Sequence, residues 1–158
     1  MCFLASAPAR PLVKKFDGKI RLLGFDVGSG ARAFHDTLPE VAAGDTLVIT
    51  AHWQAVTEMS TSYTVFAQVL NAAGRLVAQH DAPPQGGKAP TTAWVQDEVV
   101  ADAHPIPIPT DLPEGEYVVI AGIYDAVTGK RLPVEGGGDF VVLTRLRLVL
   151  KGLIGRER

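Results

Sequence analysis

Apolar residues recur at every second position in one segment after another along this chain. Within residues 46–54, one side carries Leu47, Ile49, Ala51 and Trp53, and the other side is mixed. A period of two is typical of a β-strand that buries one face. The pattern therefore predicts a strand here, with Trp53 as a structural residue of the core.

About eight segments have this strand character. Turn residues follow two of them, at residues 71–74 and 125–129, and each turn predicts a hairpin. The even spacing and the lack of a helical stripe favour an all-β fold of two packed antiparallel sheets, either an immunoglobulin-like sandwich or a jelly roll. The predicted strands are residues 19–27, 46–54, 63–70, 75–79, 98–103 with an extended continuation to 109, 116–125, 130–134 and 140–150.

Length and composition fit one domain. A chain of 158 residues is within the usual range for a single domain, and its 16 Gly and 11 Pro indicate many turns and short elements. Proline and basic residues near the start read as an extended linker. We expect a loose N-terminal linker over residues 1–15, the β-sandwich over 16–150 and a basic C-terminal tail over 151–158.

Composition also excludes several function classes. The formal net charge of −2 gives no electrostatic case for nucleic acid. A single cysteine excludes an internal disulfide framework and a cysteine-cluster metal site. No apolar run approaches the roughly 20 residues of a membrane-spanning helix, so we expect that this polypeptide does not itself span a membrane.

Catalytic motifs are missing from the sequence. His80 and Asp81 are adjacent on a predicted strand, so they point to opposite faces and do not converge. No nucleophile elbow or phosphate-binding loop is present. Several aspartates near strand ends could gather around a structural calcium, but aspartate in a turn bonds its own backbone without a metal. We therefore predict no catalytic residue, no metal site and no cofactor.

The best binding candidate is a long loop, residues 82–96, that contains Trp94. A carbohydrate site typically needs an aromatic ring beside short polar side chains, and Gln79, Asp81 and Gln85 could supply these. The alternative is that Trp94 is an apolar anchor that packs the loop down, which the sequence favours slightly.

A second structural residue is expected at a turn. Tyr117 follows the segment 112–115, which ends at Gly115. This spacing is typical of a corner tyrosine, whose hydroxyl bonds backbone at the turn.

Short motifs occur along the chain in a familiar order. They resemble the C-terminal extracytoplasmic β-sandwich domain of bacterial multi-spanning membrane glycosyltransferases of the dolichyl-phosphate-mannose and aminoarabinose transferase type. The resemblance covers roughly residues 16–148. The motifs that carry it are Leu23-Gly24-Phe25-Asp26, Ala43-Gly44-Asp45-Thr46-Leu47, His52-Trp53-Gln54-Ala55, Tyr63-Thr64-Val65-Phe66, Ala78-Gln79-His80-Asp81, Pro90-Thr91-Thr92-Ala93-Trp94, Pro113-Glu114-Gly115-Glu116-Tyr117 and residues 122–134.

The resemblance implies a non-catalytic accessory or binding module on the extracytoplasmic side, in the periplasm or at the cell surface. Its partners would be a glycan or a neighbouring membrane domain, and catalysis would belong to that membrane domain. Two alternatives stay open. One is a stand-alone carbohydrate-binding sandwich with Trp94 as its stacking platform, and the other is a structural scaffold or protein-interaction domain.

Overall fold

The computed structural model describes residues 7–29 and 32–150. Within that part of the chain, ten strands account for nearly all regular structure. In chain order they are β1 (Arg10–Phe16), β2 (Ile20–Ser29), β3 (Arg32–Phe34), β4 (Glu40–Ala42), β5 (Thr46–Ala55), β6 (Tyr63–Leu70), β7 (Leu76–Ala82), β8 (Val99–Pro107), β9 (Gly115–Asp125) and β10 (Val141–Val149).

These strands form two five-stranded sheets. The first sheet has the order β1-β2-β5-β8, with β3 also paired to β2, and the second has the order β4-β10-β9-β6-β7. Every pair is antiparallel except β4 with β10. The predicted all-β, two-sheet sandwich is confirmed.

Strand number differs from the sequence prediction at short elements. Strands β3 and β4 span three residues each, which is too short to show a period of two. The predicted strand over residues 130–134 does not form, and that segment makes two isolated bridges, Tyr124↔Arg131 and Phe16↔Val134. Periodicity therefore finds the long strands and misses the short edges.

The predicted N-terminal linker needs a correction. Residues 10–15 belong to β1, which pairs with β2, and Phe16 at its end is fully buried. An extended, basic and proline-containing segment has the same local conformation in a linker as in an exposed edge strand, so its composition alone cannot separate them. The first six residues and the predicted tail over residues 151–158 lie outside the described residues.

The core lies between the sheets. Trp53 of β5 is fully buried and its ring meets Phe16 edge-on, with centroids 5.7 Å apart. A second cluster, around Leu47 and Val119, fills the other half of the sandwich. The inward faces of the alternating strands supply both clusters, as the period of two predicts.

Strands β7 and β8 are edge strands, of the second and first sheet respectively, and they pack against each other across the sandwich. A short 3-10 turn, Pro84–Gly87, follows β7 and also packs against β8. A second such turn, Thr91–Ala93, lies further along the connection. In the described part of the chain, no helix is both long and apolar enough to cross a membrane.

Candidate functional site

Trp94 is buried, which corrects its proposed role as a stacking platform. It is 3% exposed, and its indole Nε1–H donates to the carbonyl of Ala89 at 2.8 Å. The ring packs in the same core cluster as Trp53. Trp94 therefore anchors the long loop, because neither face of its ring is open to a ligand.

Gln85 is also directed away from the predicted set. Its backbone N–H donates to Asp102 Oδ1 at 2.7 Å, and its side-chain Nε2 donates to the Ala101 carbonyl at 2.8 Å. Both contacts tie the first 3-10 turn to β8. The structure thus separates Gln85 and Trp94 from the other two predicted binding residues, Gln79 and Asp81.

Gln79 and Asp81 lie together on the outer face of the second sheet. They alternate along β7 with His80, which pairs with inward-facing Ala67, and both are exposed. On the neighbouring strand β6, Gln68 lies directly opposite Gln79. Side chains that face each other across a strand pair are within reach of one another. Two amides and a carboxylate therefore share one exposed surface.

Strand β9 adds an aromatic ring to this surface. The hydroxyl of Tyr124 donates to Asp81 Oδ2 at 2.9 Å, reaching across β6. Burial and, to a lesser extent, the hydrogen bond and charge of Asp81 raise the pKa of Tyr124. The phenol therefore stays protonated at neutral pH and keeps donating. Tyr124 is half-buried, so part of it remains accessible.

The floor beneath this surface is Phe66 of β6. A Cβ at Gly122, on the adjacent β9, would overlap the Phe66 ring, so glycine is what allows the ring to lie flat across the sheet. The Arg131 guanidinium covers the ring, 4.2 Å from its centroid, and Phe66 is only 1% exposed. Arg131 also contacts Asp139 at 3.3 Å. We name this surface the polar face, formed by Gln68, Gln79, Asp81, Tyr124 and Arg131.

A cleft adjoins the polar face at Arg131. Its volume is about 420 Å³, and Lys19, Tyr63 and Asp125 are among the residues that line it. Lys19 Nζ contacts Asp17 Oδ2 at 3.1 Å and the Tyr63 hydroxyl at 3.4 Å, and these hydrogen bonds raise the pKa of Lys19. The cleft extends the polar surface beyond the paired ends of β6 and β9.

A buried polar cluster lies on the inner side of β7 and β8. His104 Nε2 is 2.5 Å from Asp102 Oδ2, and His104 Nδ1 is 2.9 Å from His80 Nδ1. Asp102 is fully buried and His104 is 1% exposed, whereas His80 is partly exposed. We name His80, Asp102 and His104 the edge cluster. It joins the edge of one sheet to the edge of the other.

Asp102 is well satisfied for a carboxylate in a core. Besides His104, the indole N–H of Trp53 donates to Oδ2 at 3.2 Å, and the backbone N–H of Gln85 donates to Oδ1. Buried charges occur where donors converge on them in this way. Because Trp53, Gln85 and His104 come from different elements, the carboxylate holds β5, β8 and the first 3-10 turn together.

The edge cluster was missed by sequence reasoning, although one part of it leaves a signal. Val100, Asp102, His104 and Ile106 share one face of β8, so a polar pair at spacing two interrupts an apolar stripe. That signal could have marked a buried pair. The contact with His80 has no local signal, since it depends on how the two sheets stack.

The two other structural residues make turn contacts. The Tyr117 hydroxyl donates to the Pro113 carbonyl at 2.7 Å, and burial raises the pKa of this phenol. Gly115 between them has φ of 143°, a conformation that favours glycine. Among the residues described, no group of three or more His, Cys, Asp or Glu side chains is placed to hold a metal ion.

Comparison with known proteins bears on the fold. A scan against family models finds no match, and a search of curated proteins finds none. Among solved structures, the C-terminal domain of Wzt matches with a TM-score of 0.57 and 11% identity, covering 90% of this chain and 81% of that one. The CARDB domain of a Pyrococcus furiosus protein, in complex with di-metal ions, has a TM-score of 0.46 and 12% identity, covering 85% of this chain and 97% of that one. The resemblance to membrane glycosyltransferases stays a prediction, and this chain shares its β-sandwich fold with the C-terminal domain of Wzt.

Proposed function

We propose that this domain is a non-catalytic module that binds carbohydrate on the polar face, as an accessory part of a larger envelope protein. The observation that carries the proposal is the grouping of Asp81, Gln68, Gln79 and Tyr124 on three neighbouring strands of one exposed sheet face. All four side chains lie on the outer face of the second sheet, away from the core between the two sheets.

The chemistry of the polar face suits a sugar. Each sugar hydroxyl both donates and accepts, and the amides of Gln68 and Gln79 offer both kinds of group. Asp81 accepts a hydrogen bond from Tyr124, and as an exposed carboxylate it has further acceptor capacity. Phe140 is 40% exposed and immediately precedes β10, which pairs with β9 in the same sheet, so it offers an apolar surface of the kind that stacks on a pyranose ring.

An accessory role has separate support. The Wzt domain that shares this fold is the C-terminal part of its own protein. The motif resemblance likewise implies a domain attached to a membrane glycosyltransferase on the extracytoplasmic side. Both the attachment and the compartment are proposals here.

A protein-binding role is the second candidate. Phe140 and Val142 are 40% and 55% exposed at the β10 side of the same sheet, and exposed apolar residues of this kind also suit a protein partner. The stand-alone alternative that used Trp94 as a platform has lost its support, because that ring is buried.

The test is isothermal titration of the domain with soluble oligosaccharides of three types: neutral hexose, amino-sugar and uronate-containing. We expect saturable binding of at least one type, weakened about tenfold or more by Asp81→Asn, because a hydrogen bond to a charged group contributes roughly 1.5–3 kcal/mol. Asp111→Asn is the matched control, since Asp111 is exposed and outside the polar face.

Two results would contradict the proposal. One is the absence of binding by any of the three oligosaccharide types. The other is binding that Asp81→Asn and Asp111→Asn leave equally strong, which would place the ligand elsewhere on the domain.

A further inference from the structure

We propose that the edge cluster is a proton-controlled latch: it fixes β7 against the first sheet when at most one of its two histidines is charged, and it releases β7 when both are charged. Release would disturb the polar face and weaken carbohydrate binding in acid. The binding part of this inference rests on the proposed function, whereas the latch itself is a property of the fold.

The edge cluster can hold only a limited number of protons. With both rings neutral, His104 Nε2–H donates to Asp102 and His80 Nδ1–H donates to His104 Nδ1. One added proton leaves both hydrogen bonds intact. Either ring can carry it while a single N–H lies between the two Nδ1 atoms. A second added proton places an N–H on each Nδ1, and two donors cannot share a 2.9 Å contact.

Repulsion between the two charged histidine rings would act on β7. His104 is held at its other nitrogen by Asp102, which is itself fixed by Trp53 and the first 3-10 turn. His80 has no comparable support, since β7 is an edge strand that pairs only with β6 in its sheet. The two like charges would therefore displace β7 and leave β8 in place.

Strand β7 carries residues of both the latch and the polar face. Gln79 and Asp81 flank His80 on β7 and point to the opposite side of the strand. A shift of the backbone at His80 therefore moves both polar-face residues relative to Gln68 and Tyr124. The Tyr124 to Asp81 hydrogen bond spans that same strand boundary and would be lost with it.

The charged groups around His80 give the direction of the effect. Burial, followed by the nearby His104, lowers the pKa of His80 from its ordinary value of 6.5, and Asp102 and Asp81 oppose this shift. Opposite His80, β6 contributes Ala67, which carries no charge, and the 3-10 turn Pro84–Gly87 that packs against β7 contains no charged residue. The unfolded chain then binds more protons than the folded one as pH falls below about 6.5, so acid favours release.

The test applies one measurement to the whole domain, as the wild type and as two variants. Backbone amide protection of β7, corrected for intrinsic exchange rates, is compared at pH 7.5 and pH 5.0. We expect protection to fall about tenfold in the wild type and less than twofold in His80→Gln, which keeps a side-chain donor and acceptor but does not titrate. His35→Gln, at an exposed histidine away from the cluster, should behave as the wild type.

Oligosaccharide titration at the same two pH values is the second readout. Binding should weaken about fivefold at pH 5.0 in the wild type, within the usual range of coupling between sites, and should be nearly constant in His80→Gln. Protection of β7 that is unchanged by pH, or that falls equally in His80→Gln, would overturn the latch. If β7 shows the expected change but no oligosaccharide binds at either pH, the latch stands and the proposed function fails.

Discussion

Two aspartate–histidine pairs in the first sheet join the same two atoms, Nε2 and Oδ2, in different surroundings. Asp26 Oδ2 and His52 Nε2 are 2.7 Å apart on the outer face, whereas Asp102 and His104 form their 2.5 Å contact on the inner face. Both histidine side chains are almost fully buried, but Asp26 is 38% exposed and Asp102 is not exposed at all. The pairs therefore differ in the exposure of the carboxylate and not in that of the imidazole.

The remaining partners show what each pair does. Asp26 Oδ1 accepts a hydrogen bond from the Ala9 backbone at 2.6 Å, and His52 Nδ1 has no partner in the described residues. That pair holds the segment before β1 against the sheet. His104 instead uses its second ring nitrogen, Nδ1, to contact His80 on the opposite sheet. The same type of residue pair thus holds a neighbouring segment in one place and connects the two sheets in the other.

Removal of the two carboxylates should separate the pairs most strongly. Asp102→Ala leaves the Trp53 indole N–H, the Gln85 N–H and His104 without their acceptor in the core, and we expect a loss of about 3–5 kcal/mol in the free energy of unfolding. Asp26→Ala should cost less than about 1 kcal/mol, because water reaches that carboxylate. Chemical denaturation measures both, and equal losses would show that burial does not distinguish the pairs.

The pH dependence of stability should distinguish the histidines next. Since the pKa of His80 is lowered in the folded state, stability contributed by the neutral ring is present above about pH 6.5 and is lost as pH falls toward the folded pKa. The melting temperature of the wild type should decrease over that interval, and His80→Gln should reduce the slope. His52→Gln is the comparison variant. If it reduces the slope of melting temperature against pH as much as His80→Gln does, the pH dependence does not come specifically from His80.

The smallest effect on stability is expected at the polar face. Tyr124→Phe keeps the ring over the sheet and removes only the hydrogen bond to Asp81, which is exposed. We expect the free energy of unfolding to change by no more than about 0.5 kcal/mol, as is usual for surface substitutions. Oligosaccharide affinity should nevertheless fall several-fold, because the hydroxyl positions the carboxylate. A stability loss comparable to that of Asp102→Ala would instead make Tyr124 a structural residue.

The sequence predicts the parts of this fold that repeat locally. Alternation identifies the long strands and the inward position of Trp53, and the two-sheet sandwich follows from their number and spacing. It does not find β1, because an edge strand that is open to water on one side can carry prolines and lysines in the same way as a linker. Hydrophobic alternation in the sequence thus reflects burial, and edge strands are less buried than central ones.

The candidate site is predicted only in part, because strand pairing assembles it from residues that are distant in the sequence. Gln79 and Asp81 are adjacent positions of one strand face, so the sequence could group them. Gln68 and Tyr124 join them through the register of β6 with β7 and β9, which no local spacing specifies. Trp94 was grouped with them by proximity along the chain, but its large apolar ring is buried in the core.

A nuclear magnetic resonance titration of the isotope-labelled domain, with the oligosaccharide that binds most tightly, would locate the bound ligand on the surface. We expect the largest shift changes at the side-chain amides of Gln68 and Gln79 and at the backbone amides of Asp81 and Tyr124, because these groups form one exposed surface. Changes concentrated instead around the separate cleft near Arg32 and Glu40, or the absence of any change, would contradict carbohydrate binding at the polar face.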